Sequence, residues 1–232
     1  MTKKNTKITK IAQEQKTQQA PNLSTSKAGL VFNVNSFKSD IKKYFKGRSD
    51  DMHKPPLCKG GHIVIAACVQ KMCELIVKDT LKHTSINRVG LRTVTPKSLK
   101  LTLVTNDCLT KYYLHHMSSY NYNIMYWKNL PVLEKDIRQV IENVSKDLEF
   151  GSKSVNLLFF LLTTFYFDIL NVSNQFLRFS GKKSFESRVI VFAIKNRFSD
   201  DIASELCSEI SRVSSAMEDE IDAVDEIGRA HV

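Results

Sequence analysis

The chain has 232 residues, 42% hydrophobic and 25% charged, which suffices for one large domain or two small ones with a buried core. Eight glycines and five prolines are too few for a collagen, a glycine-rich linker or an all-β fold with many tight turns, so the composition favours long helices. The net charge is +10, but residues 218–232 carry six acids and one base, which leaves +15 on the rest. Such a surplus favours a polyanionic partner, most simply nucleic acid.

The two ends of the chain differ in charge. Residues 1–26 are rich in Lys, Thr and Gln and have few apolar residues, which predicts a flexible basic tail. Residues 217–232 are expected to form a disordered acidic tail. We expect no signal peptide, because the first residues lack an apolar stretch. The most apolar segment, 155–170, falls short of the ~20 apolar residues that span a bilayer, which predicts a buried helix and no membrane partner.

The cysteines and histidines do not suggest a metal site or a disulfide framework. Five cysteines are an odd number, no CxxC pair occurs, and the six histidines show no ligand spacing. No nucleophile motif or glycine-rich phosphate loop is present. We therefore expect a reducing compartment, no cofactor, no small-molecule substrate and no enzyme activity.

The first half of the chain predicts four helices. Residues 36–45 form a short amphipathic helix, and residues 62–82 a long helix that is apolar on several sides and must be covered on several sides. After a loop at 87–94, Thr95 is expected to cap a helix that begins at Pro96. Asn106 and Asp107 can cap one more short helix.

The second half repeats this plan. In order, it predicts a helix from Pro131 to Val144, a loop at 146–151, a long helix at 153–179 capped by Ser152, a basic loop at 180–185, a helix at 189–198 and a last helix capped by 199–201. Neither half can bury its long helix alone. Two halves crossing head to tail would cover each other, which predicts an all-α architecture built from an internal repeat.

The local sequence of the first half resembles histone 2A. Residues 27–34, KAGLVFNV, resemble the AGLxFPV segment that opens the histone 2A core, with Asn33 in place of the proline. Residues 91–101, LRTVTPKSLKL, are similar to its TRIIPRHLQL segment. The Asn-Asp-Glu-Glu-Leu continuation corresponds to residues 106–109, NDCL, one residue shorter or shifted.

The second half is similar to histone 2B. Residues 150–154, FGSKS, match its ISSKA segment at the start of the long helix, and residues 180–185, SGKKSF, match the NKRSTI loop. Residues 186–188 approximate TSRE, and residues 199–203, SDDIA, stand where PGELA opens the last helix. The order and spacing of these motifs carry the resemblance.

The resemblance implies a fused core-histone doublet of the kind found in giant DNA viruses, with two histone folds in tandem that form an intramolecular head-to-tail heterodimer. Its parts are a basic tail at 1–26, a 2A-like fold at 27–117, a connector at 118–129, a 2B-like fold at 130–216 and an acidic tail at 217–232. The doublet of marseillevirus type places the 2B-like half first, so another lineage or source stays open. The implied locations are the nucleus or the viral factory of the infected cell, and the virion.

The implied function is to package duplex DNA without sequence specificity, together with a histone 3/4-type doublet or histones, in a nucleosome-like particle. In such a pair, the first loop of one half lies beside the second loop of the other, and helix ends and basic side chains there meet phosphates. The candidate DNA-binding residues are Lys42, Lys43, Arg92, Thr93, Ser152, Lys153, Lys182, Lys183 and Ser184.

The resemblance also implies a weakened acidic patch. Gln70, Leu75 and Lys78 stand where the long histone 2A helix normally carries glutamates. The residual patch acids are Asp107, Asp201 and Glu209. We expect chromatin factors that insert an arginine into such a patch to bind this chain poorly.

Two other functions stay open. One is a histone-fold transcription regulator of the nuclear factor Y or negative cofactor 2 type, which would prefer one DNA site. The other is an assembly factor that binds histones, with residues 218–226 acting as a DNA mimic.

Overall fold

The computed structural model describes residues 29–47, 56–87, 90–117, 130–198 and 200–229. Within these ranges the chain is mostly helical, which confirms the all-α class, and all eight predicted helices are present. They are α1 Val34–Lys46, α2 Gly61–Thr80, α3 Pro96–Thr105, α4 Asp107–Met117, α5 Glu134–Val144, α6 Ser152–Ser180, α7 Ser187–Arg197 and α8 Asp200–Arg229. The predicted basic tail at 1–26 and the connector at 118–129 lie outside the described residues.

The helix starts show which local signals were decisive. The predicted cap at Thr95 is confirmed as a capping box, in which the Ser98 N–H donates to Thr95 Oγ1 at 3.2 Å and the Thr95 N–H donates to Ser98 Oγ at 2.9 Å. Two predicted starts were wrong. Ser152 is the first residue of α6 and Gly151 its N-cap, while α5 starts at Glu134, three residues after Pro131. Glu134 and Asp136 place negative charge in the first turn of α5, where the helix dipole favours it.

The expectation of a disordered acidic tail at 217–232 is wrong, because α8 continues through this segment to Arg229. The physical reason lies in the apolar spacing. Val213, Met217, Ile221 and Val224 follow one another at four, four and three residues, which continues the helical period of the packed part of α8. Gly228 is the first glycine or proline after position 200, and these two residue types disfavour a helix interior most.

Four short strands join the two halves crosswise. Strand β1 (Leu57–Cys58) pairs in parallel with β4 (Ser184–Phe185), and β2 (Arg92–Val94) pairs in parallel with β3 (Leu148–Phe150). Each loop of the first half therefore lies against a loop of the second half. We call the β1–β4 pair and its surroundings the first edge, and the β2–β3 pair and its surroundings the second edge.

The two long helices, α2 and α6, contact each other in the middle of one common core. Helix α2 is covered by α1, α3, α5, α7 and α8, and α6 by α3 and α7. Hydrogen bonds tie the halves together as well: Tyr166 Oη donates to Asp40 Oδ2 at 2.8 Å, and Tyr113 Oη donates to the Leu161 carbonyl at 3.1 Å. Neither long helix could keep its apolar faces out of water without the other half.

Helix α6 is longer than the sequence suggested. With 29 residues and a mean hydropathy of 1.7 in its most apolar window, it is long and apolar enough to cross a membrane, contrary to the expectation that the segment falls short. The continuation of the helix past Leu170 to Ser180 accounts for the difference. In the structure 67% of that window is buried against the rest of the chain, as expected of a core helix.

Candidate nucleic-acid interface

The first edge is built from backbone contacts between the two halves. The Leu57 N–H donates to the Lys183 carbonyl at 2.8 Å, and the Lys59 N–H donates to the Phe185 carbonyl at 3.1 Å. Helix α2 begins directly afterwards, at Gly61, and its N-cap Gly60 has φ +72 and gives the helix no side-chain cap. The first N–H groups of α2 therefore lie at this edge without an internal side-chain acceptor, an arrangement that suits an anion.

Five exposed lysines surround the first edge: Lys38, Lys42, Lys59, Lys182 and Lys183. Lys38 and Lys42 lie on one face of α1, four residues apart, and close enough to His62 for their charges to act on it. Lys182 Nζ lies 5.8 Å from the ring centroid of Phe176. Lys38 and Lys59 were missed by the sequence analysis, although the four-residue spacing from Lys42 was a signal for Lys38.

His62 does not add to this positive charge. Burial, together with the positive charges of Lys38 and Lys42, lowers the pKa of His62 from its ordinary 6.5 to about 4. Its Nδ1 lies 3.4 Å from Cys58 Sγ, and burial raises the pKa of that thiol. The imidazole and thiol are thus both uncharged near neutral pH, and the lysines alone set the charge of the edge.

At the second edge, the predicted arginine is held by the protein itself. Arg92 Nη1 donates to the Leu81 carbonyl at 3.3 Å, and Arg92 Nε lies 3.3 Å from Asp147 Oδ2. The side chain remains 31% exposed. A hydrogen bond from Ser145, more than the charge of Arg92, holds the pKa of Asp147 below its usual range. The guanidinium is therefore oriented by internal acceptors rather than directed wholly outward.

The rest of the second edge carries charges of both signs. Thr93, Ser152 and Lys153 are exposed, and so are Lys97 and Lys146, which the sequence analysis missed. Glu149 is also exposed, on β3 between these cations. Below the surface, Ser154 Oγ donates to the Val94 carbonyl at 2.7 Å and fastens α6 to β2.

The nine predicted DNA-binding residues fall into three places. Lys42, Lys182, Lys183 and Ser184 are on the first edge, where Ser184 Oγ lies 3.5 Å from Glu186 Oε2. Arg92, Thr93, Ser152 and Lys153 are on the second edge. Lys43 is exposed on α1 near Asp40, whose pKa is raised by burial against the opposing effects of Tyr166 and Lys43.

The predicted residual acidic patch is divided and largely offset by lysines. Asp201 lines a groove of about 260 Å³ together with Lys78, Lys82 and two further acids, Asp79 and Glu205. Lys82 Nζ lies 2.5 Å from Asp79 Oδ1, and Lys71 Nζ lies 2.9 Å from Glu205 Oε2.

The other two predicted patch acids lie outside this groove. Glu209 pairs with Arg212 at 2.6 Å, and Asp107 is exposed at the start of α4. Gln70 has a structural role, because its Oε1 accepts the Val31 N–H at 2.8 Å. Lys71, Lys82 and Arg212 thus pair with acids of this face and partly offset its negative charge.

An aromatic patch at the end of α6 was not predicted. It consists of Phe176, Phe179 and Phe192; Phe179 is 91% and Phe192 41% exposed, and the rings of Phe176 and Phe192 stack at 4.2 Å. Exposed aromatic clusters of this kind mark protein–protein contacts. The apolar run that ends in Phe179 at the last turn of α6 was the available signal.

No protein-family profile matches the chain, and no curated protein matches it significantly.

Proposed function

We propose that the chain is a fused core-histone doublet, a histone 2A-like half followed by a histone 2B-like half, that binds and bends duplex DNA without sequence specificity. The observation that carries the proposal is the crosswise parallel pairing of the four loops, β1 with β4 and β2 with β3. A head-to-tail pair of helix–loop–helix halves requires this arrangement. The contact between α2 and α6 inside one common core supports the same conclusion.

The two edges are the proposed DNA contacts. Lysines and backbone N–H groups of loops and helix starts bind phosphates through charge, and they need no base contacts. DNA is then selected by its charge and by how easily it bends. The first edge, with five exposed lysines, supplies the stronger contact, and the second edge fixes the path of the duplex.

The proposed protein partner is a histone 3/4-type doublet or pair of histones, in a nucleosome-like particle. The exposed aromatic patch of Phe176, Phe179 and Phe192 supports a protein partner at the end of α6. The proposal includes no enzyme activity and no cofactor. It places the protein on chromatin in the nucleus or the viral factory of an infected cell, and in the virion of a giant DNA virus.

The lysines and the arginine among the acids of the residual patch have a consequence for other partners. Because Lys71, Lys78, Lys82 and Arg212 lie among its acids, we expect a peptide that anchors an arginine in a histone acidic patch to bind weakly. Nanomolar affinity for such a peptide would contradict this expectation.

Co-assembly followed by nuclease digestion tests the proposal. With a histone 3/4-type partner we expect protection of about 146 base pairs or somewhat less, and little protection without it. Exchanging Phe179 for Ser should reduce protection only when the partner is present. If the complex neutralises ~7–10 phosphates, affinity should fall ~10³–10⁵-fold between 50 and 200 mM salt. Salt-insensitive binding would contradict the mechanism.

A histone-fold transcription regulator, of the nuclear factor Y or negative cofactor 2 type, is the second candidate. Regulators of this type carry extra helices or partner-binding segments, and the 30-residue α8, which continues to Arg229, offers such a segment. Footprinting separates the two functions. A packaging protein protects DNA of any sequence, whereas a regulator protects one preferred site.

A further inference from the structure

Helix α8 packs antiparallel along α2, and the contacts fix its register. Lys71 of α2 pairs with Glu205 of α8 at 2.9 Å. Gly60, the N-cap of α2, comes eleven residues before Lys71, and its neighbour is Met217, twelve residues after Glu205 on α8. The Cε atom of Met217 lies 2.6 Å from where a Cβ on Gly60 would stand. The two helices therefore run in opposite directions, and Met217 of α8 lies beside the beginning of α2.

The acidic part of α8 begins immediately after this point. Residues 218–229 continue the helix beyond the beginning of α2, over a length of about 18 Å at 1.5 Å per residue. The same register brings Glu218 level with Lys59, at the first edge. Six acids follow within nine residues: Glu218, Asp219, Glu220, Asp222, Asp225 and Glu226.

The first edge has the complementary charge. Lys38, Lys42, Lys59, Lys182 and Lys183 are exposed, and none of the five forms an ion pair with another described residue. Charges of opposite sign interact over about 8 Å at physiological ionic strength. An acidic helix that continues past this edge therefore lowers its attraction for any other polyanion.

We infer that residues 218–226 compete in cis with duplex DNA for the first edge. The inference rests on the proposed function, in which the first edge binds phosphates. DNA must displace the acidic segment to occupy the first edge, while the second edge stays accessible. The segment thereby weakens complexes in which DNA contacts one edge alone and favours complexes in which DNA contacts both edges.

Charge removal gives the first test. Glu218→Gln with Asp219→Asn removes two negative charges at the start of the acidic segment, and the matched control, Asp107→Asn with Asp201→Asn, removes two exposed charges elsewhere. Affinity for a short duplex, measured by fluorescence anisotropy in the full chain, should rise about 3- to 10-fold in the first variant and less than about twofold in the control, at low salt. This gain in affinity should shrink as added salt screens the charges of residues 218–226.

Zero-length carbodiimide cross-linking gives the second test. In the free protein, carboxylates of 218–226 should cross-link to lysines of the first edge, and adding duplex should suppress these products while leaving Lys71–Glu205 products unchanged. If wild-type protein binds no duplex, the proposed function itself fails. If it binds duplex but both charge variants change affinity equally, or the cross-links persist with DNA bound, competition in cis is wrong.

Discussion

The two edges have the same construction but different chemistry. Each is a short parallel pair of strands contributed by both halves and followed by the start of a long helix. The first edge presents five exposed lysines and an uncharged histidine. At the second edge, Arg92 is held by Asp147 and the Leu81 carbonyl, and Glu149 is exposed among the lysines.

This difference shows that a sequence motif and its electrostatic surroundings are separate properties. Arg92 lies in one of the segments that resemble histone 2A, yet its charge is partly offset by an acid from the other half. Lys59 belongs to no motif but lies beside the start of α2, with no described acid paired to it. We therefore expect the first edge to dominate DNA affinity.

The largest expected effect is on DNA binding at the first edge. Replacing Lys42, Lys59, Lys182 and Lys183 by Gln should weaken duplex binding about 10²–10³-fold and make the slope of log affinity against log salt shallower by about 3 to 4. The matched second-edge variant replaces Arg92, Lys97, Lys146 and Lys153 by Gln. It should lower the affinity for duplex DNA roughly tenfold, because nearby acids already offset the positive charge of the second edge. Equal losses at the two edges would contradict the comparison.

The first edge is also the more tightly packed. Gly61→Ala would place a Cβ 2.6 Å from the Phe185 carbonyl and 2.5 Å from its ring, so we expect a loss of about 2–4 kcal/mol in the free energy of unfolding. Gly151→Ala at the second edge meets nothing within 4 Å and should cost less than about 1 kcal/mol. Urea denaturation measures both, and similar costs would show that the edges pack alike.

The second edge depends on a buried hydrogen bond. Ser154→Ala removes the 2.7 Å bond to the Val94 carbonyl that joins the halves, and should lower the free energy of unfolding by about 1–2 kcal/mol. Ser152→Ala, an exposed change two residues away that removes no side-chain cap, is the control and should be nearly neutral. A neutral Ser154→Ala would mean that the strand pair alone holds this edge.

The smallest expected effect is a pH dependence at the first edge. The pKa of His62 is about 4 in the folded chain and about 6.5 when unfolded, so only the unfolded chain takes up this proton as pH falls through 6.5. Stability contributed by the neutral imidazole is therefore present above pH 6.5 and is lost towards pH 4. Between pH 7 and pH 5 we expect a loss of roughly 1 kcal/mol, allowing for partial exposure of the ring.

Comparison with His62→Gln isolates the contribution of His62 to this pH dependence, because the other titrating groups, including Asp40 with its raised pKa, are present in both proteins. The difference in unfolding free energy between wild type and variant should change with pH in this window. A difference that is constant from pH 7 to pH 5 would contradict the lowered pKa.

The sequence by itself determined the helices. Their apolar periods, and local signals such as Thr95 with Ser98, act within a few residues of each other and need no distant partner. The same local reasoning failed at Pro131 and Ser152, where one residue was given more weight than its neighbours, and at the acidic end of α8, where charge was given more weight than apolar spacing.

Only the tertiary structure decided the charge of each edge. Arg92 meets Asp147 and Lys59 meets Phe185 across contacts of 55 and 126 residues in sequence, which no local pattern reports. The strands themselves have two or three residues and exist because the opposite loop supplies their hydrogen bonds. Pairing between the halves thus determines which predicted side chains are exposed for a partner and which are held by the fold.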